Sequence, residues 1–71
     1  MDNAREKKRL GSAIRTAREN QGISQRRFAL MTGTSRSYLW KIESGSADMG
    51  IDILCRIAHA LGVKVGDLID F

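Results

Sequence analysis

Apolar residues along this chain return every three or four positions and not every second, which is the spacing of one helix face and argues against strands. Leu10, Ile14 and Ala17, with Gln21, share such a face and predict a first helix over about Arg5 to Gln21, stopped by Gly22 in a left-handed conformation. Ser24 then reads as the N-cap of a short helix, Gln25 to Thr32, that buries Phe28, Ala29 and Thr32 and ends at Gly33. After a very short turn, Ser35 caps a third helix from Arg36 to about Ser44, closed by Gly45. The small residues GSADMG make a loop, and Ile51, Leu54, Ile57, Ala58 and Leu61 form the stripe of a fourth helix ending at Gly62. A last turn near Val65 to Ile69 leaves Val65, Leu68, Ile69 and Phe71 in need of a covering surface. The fold class expected is all-α.

Composition narrows this reading. At 71 residues the chain is one small domain, and 42% hydrophobic with 28% charged residues calls for a packed core and not a disordered tail. One domain is expected over 1–71, with a basic, mobile segment at about 1–6. The single cysteine, Cys55, allows no internal disulfide, and the charged start MDNAREKKRL does not resemble a secretory signal. These two features lead to the expectation of a cytoplasmic protein, and because no apolar run approaches the length of a membrane span it is expected to be soluble.

Charge adds a direction. Residues 1–41 carry ten Lys/Arg against three acids, whereas residues 42–71 carry two against five. The first part is therefore net +7 and the second −3, a division that gives one side a positive field if the charges cluster in space. Such a field suits nucleic acid or an anionic surface; a merely solvated basic face is the plainer alternative.

Two short helices joined by a glycine turn have the geometry of a helix-turn-helix, whose second helix enters the major groove of DNA. At 100° per residue, Tyr38, Leu39 and Ile42 of the third helix fall on one side, and Arg36, Ser37, Trp40, Lys41 and Ser44 on the other. Arg and Lys reach guanine O6 and N7, Ser bonds several base edges, and an aromatic packs on a thymine methyl. Any amphipathic helix has a polar face, so the pattern alone does not decide. An enzyme would have to use Cys55 and His59, four apart on the fourth helix. Two such groups complete neither a metal site nor a catalytic one, and a small cysteine beside an apolar stripe is commonly just buried.

The segment ISQRRFALMTGTSRSYLWKIESG, followed by ILCRIAHALGVKVGDLI, resembles the Cro and lambda-repressor type of helix-turn-helix, the XRE family. The resemblance runs without a gap from about Leu10 to Phe71. Its most specific parts are Ser24-Gln25, Phe28-Ala29, Gly33, Ser35-Arg36-Ser37-Tyr38, Lys41-Ile42-Glu43, Gly45 and Ala58-x-x-Leu61-Gly62-Val63. It implies a five-helix, lambda-repressor-like domain whose third helix, residues 35–44, reads the major groove. It puts Gln25 on a phosphate and Ser35, Arg36, Ser37 and Lys41 at base edges or adjoining phosphates. With the exposed face of the third helix and its flanks, the expected base contacts are Arg36, Ser37, Trp40 and Lys41 and the expected phosphate contacts Gln25, Ser35, Arg26 and Ser46. Arg18 and Glu43 match a pair that joins helices one and three; two separately solvated charges are the alternative. The implied function is sequence-specific transcriptional regulation, as a repressor, on double-stranded DNA, by a protein that is not an enzyme and has no cofactor, metal or small-molecule effector. The other reading is an antitoxin or adaptor whose main partner is a protein such as a toxin.

The chain departs from the family at several points. Thr32 and Thr34 replace apolar residues around the central glycine, which suggests looser packing, and Leu30 and Met31 stand where polar residues are usual. The loop after the third helix lacks its usual Lys or Arg, so phosphate contact there falls to backbone amides near Gly45 and Ser46. Basic compensation could come from Arg5, Lys7, Lys8 and Arg9, or from Arg26 and Arg27. Because one recognition helix spans few base pairs, a homodimer is expected, with Ile69 and Phe71 at its interface. Phe71 folding back on its own domain is the alternative.

Overall fold

The structure is a computed structural model and describes residues 3–69. Five helices follow in order: α1 (Ala4–Asn20), α2 (Gln25–Thr32), α3 (Arg36–Ser44), α4 (Ile51–Leu61) and α5 (Val65–Leu68). Among the described residues there is no strand, and no helix is long and apolar enough to cross a membrane.

The two central helices start alike because serine supplies the same acceptor to both. Ser24 Oγ accepts the Arg27 amide and Ser35 Oγ accepts the Tyr38 amide, each at 3.1 Å, which satisfies an amide the helix itself leaves over. Between them Gly33 adopts φ +68°, a left-handed turn that a side chain would resist, and this brings α3 back across α2 within the turn 33–35.

The core is a single cluster. Ile14, Phe28, Leu39 and Ile57 are fully buried at its centre, ringed by Ala29, Ile42, Leu54, Ala58, Leu61 and Leu68. Thr32 lies among them, yet its hydroxyl bonds the Phe28 carbonyl at 2.9 Å and Thr34 Oγ1 at 3.0 Å. The polar atoms that suggested a loose centre are thus paired with each other and the backbone, which removes the penalty of burying them alone.

The first helix departs from expectation at both ends. It begins at Ala4, so residues 4–6, read from the sequence as lying ahead of the helix, are helical. The Asn3 carbonyl accepts the Lys7 amide, Glu6 places a carboxylate in the first turn where the helix dipole favours it, and Lys7 pairs with Asp48. At the other end Gln21 is exposed; its amide donates to the Leu61 carbonyl at 2.8 Å, closing the end of α4 instead of lining the core. Cys55, read from sequence as a small core residue, faces solvent, because the apolar stripe of α4 turns past it.

Candidate nucleic-acid interface

α3 is held by its back. Leu39 and Ile42 enter the core, and Glu43 is buried beside them. Glu43 takes two parallel hydrogen bonds from one arginine of α1: Arg18 Nε to Oε2 at 2.7 Å and Nη2 to Oε1 at 3.0 Å. The remaining Arg18 nitrogen, Nη1, donates to the Ile23 carbonyl at 2.7 Å. The bond to Glu43 raises the Arg18 pKa above its ordinary value, against the opposing effect of burial. Gln25 joins this cluster, its amide donating to Glu43 Oε1 at 3.1 Å. The pair expected from the sequence is therefore present as a buried fork, and α1, the start of α2 and the end of α3 meet on one carboxylate.

Gly11 completes the seat. It is buried where α3 crosses α1, and a Cβ there would lie 2.8 Å from the Glu43 carbonyl oxygen and closer still to that of Ile42. Only a residue without a side chain allows this approach. The sequence marked turn-forming glycines and passed over this one, whose sign was a glycine placed one turn from both Ile14 and Lys7 inside a helix of otherwise ordinary composition.

The front of α3 faces water. Arg36, Ser37, Trp40, Lys41 and Ser44 are exposed, Trp40 by 59%. Arg26 and Arg27 lie exposed on α2. The expected base-reading residues thus share one exposed helix face.

The phosphate residues are more mixed. Ser35 gives its oxygen to the cap, leaving its hydroxyl proton to donate. Gln25 is bonded to Glu43, so a phosphate would compete with or share that amide. The Gly45 and Ser46 amides donate to the Ile42 and Lys41 carbonyls at 3.1 and 2.9 Å, closing α3, so a phosphate would have to compete for them. Ser46 also turns its hydroxyl to the Lys41 carbonyl and to Ser44 Oγ. The loop beyond is pinned on both sides, by Tyr38 Oη donating to the Asp48 carbonyl at 3.0 Å and by Lys7 on the Asp48 carboxylate. Beside the recognition face, Arg15, Gln25, Trp40, Glu43 and Ser44 line a cleft of about 140 Å³. Arg15, which the sequence reading did not single out, is exposed and lies 3.3 Å from Glu19.

At the chain end, Leu68 is buried, and Ile69 is half-buried against the core of its own domain. Phe71 lies outside the described residues.

A capped short helix, a left-handed glycine turn and a second helix anchored by its back and bare at its front define a helix-turn-helix DNA-binding domain. The Helix-turn-helix family profile, HTH_3, matches residues 14–68, and the chain belongs to that family. It is 41% identical over 54 residues to an uncharacterized HTH-type transcriptional regulator of Mycobacterium tuberculosis, covering 76% of this chain and 39% of that one. The chain thus spans about two-fifths of that relative's length. With the control protein C.BamHI of Bacillus amyloliquefaciens it shares 36% identity over 63 residues, 87% of this chain and 78% of that protein. Among solved structures, the restriction-modification controller protein C.AhdI of Aeromonas hydrophila superimposes with TM-score 0.83 at 28% identity, covering 86% of this chain and 92% of that one. The clp gene regulator ClgR of C. glutamicum does so with TM-score 0.86 at 32% identity, covering 89% and 81%. The domain is of the DNA-binding transcriptional-regulator class.

Proposed function

We propose that this chain is a sequence-specific repressor that binds double-stranded DNA as a homodimer and reads the major groove with residues 35–44. The observation that carries the reading is the division of α3: Leu39, Ile42 and Glu43 fix it from behind, while Arg36, Ser37, Trp40 and Lys41 are all exposed in front. Arg36 and Lys41 supply donors for guanine, Ser37 for either base type, and Trp40 an apolar plate for a thymine methyl. Ser35 and Arg26 take the flanking phosphates, with Gln25 and Ser46 able to join only by exchanging their present bonds. Two relatives whose lengths the chain largely spans are named as a control protein and a restriction-modification controller, which supports a regulatory role.

Selection of bound sites from random DNA tests this. A palindrome with half-sites about one helical turn, ~34–36 Å, apart is the expected product. One exposed patch favours a second reading: Leu30, 78% exposed, and Met31 stand together on α2, as a contact for a protein partner of the antitoxin kind would. A gel shift with mixed DNA separates the two, since no retarded band at low or moderate salt leaves only the protein-binding reading.

A further inference from the structure

The recognition helix has a neighbour without a cation on one side and one that carries a cation on the other. Residues 45–50 hold no Lys or Arg, and Asp48 is their only charge. Their first two amides close α3, as described, so this loop offers little to a phosphate backbone. Across the recognition face, the cleft lined by Trp40 and Ser44 is walled by Arg15 of α1.

We infer that Arg15 is a DNA-backbone contact that extends the binding surface from α3 onto α1, a role that rests on the DNA-binding reading above. The electrostatics of the cleft support it. Glu43 would repel a phosphate there, but both of its oxygens are already engaged by Arg18 and Gln25. Arg15 is the cation at the cleft mouth, with 63% of its side chain exposed. Its partner Glu19 is 53% exposed and one helical turn away, an arrangement that salt screens and a phosphate readily displaces. The α1 backbone that carries Arg15 is packed against α3 through Gly11, so a phosphate held by Arg15 positions the duplex relative to Trp40.

The test is fluorescence anisotropy of the full chain with its selected site and with an unrelated duplex, over a range of salt concentrations. Arg15→Gln is expected to weaken both complexes alike and to lower the slope of log affinity against log salt by ~0.9, the loss of one phosphate neutralised. Arg15→Lys should restore the slope, and Glu19→Gln should bind at least as tightly as wild type. Circular dichroism melting shows that the variants fold, as the exposed position leads one to expect. A wild type that binds DNA together with an Arg15→Gln protein of unchanged slope overturns the contact alone. A wild type that binds neither duplex overturns the DNA-binding reading, and this contact with it.

Discussion

Arg18 is the residue on which most of the site depends. Its guanidinium meets Glu43 through two nitrogens and the Ile23 carbonyl through the third, with both side chains under a tenth exposed. Replacing such a pair by apolar residues can be neutral, but removing one partner strands the other charge. Arg18→Ala leaves Glu43 with Gln25 alone, and Glu43→Ala leaves Arg18 with a single carbonyl. Each is expected to lose ~3–5 kcal/mol, which in so small a domain approaches its whole stability. Thermal melts within a few degrees of wild type for both would contradict this. Because the Arg18 pKa is raised on folding, its contribution is fully present below the arginine's ordinary titration range and is lost only above it. Trp40 is the opposite kind of residue. Trp40→Ala removes a side chain that is 59% exposed and outside the core cluster, so stability should stay within about 0.5 kcal/mol while affinity for the selected site falls. Arg36→Ala and Lys41→Ala should each cost ~1–3 kcal/mol at that site, read by titration against single-base variants.

Between helices, the decisive contact is the crossing of α1 and α3 at Gly11. A methyl group there meets two backbone carbonyls, which cannot rotate away as a side chain end would. Gly11→Ala is therefore expected to destabilise the domain by ~1–3 kcal/mol or more and to tilt the recognition helix. Urea denaturation with DNA binding measured on the folded fraction separates these effects; unchanged values for both would show that α3 yields. This crossing also marks the limit of what the sequence discloses. Ser24, Gly33, Ser35 and Gly45 announce the bounds of α2 and α3 because caps and left-handed turns require particular residue types locally. The exposed front of α3 follows from its period for the same reason. Nothing local reveals that Gly11 faces a carbonyl more than thirty positions onward or that Gln25 bonds Glu43. Those facts arise from how elements dock.

For the molecule as a whole, assembly turns on the last turn of chain. Ile69 was expected at a dimer interface, and it is already half covered by its own core. A dimer using this end must therefore share Ile69 between the two surfaces. Sedimentation equilibrium of the full chain and of one ending at Leu68, across micromolar concentrations, is expected to show dimers only for the former. A truncated chain that dimerises equally well would move the interface elsewhere.

The anchoring of α3 from behind has a consequence for how such a regulator changes over time. Leu39, Ile42, Glu43 and Gly11 hold the helix whatever stands at 36, 37, 40 and 41. Substitution at those four places is thus nearly neutral for folding, and on the proposed reading a lineage drifts from one operator to another without passing through an unfolded intermediate. Duplicated copies of the gene could diverge into regulators blind to each other's promoters by altering a handful of surface side chains while the scaffold stays fixed.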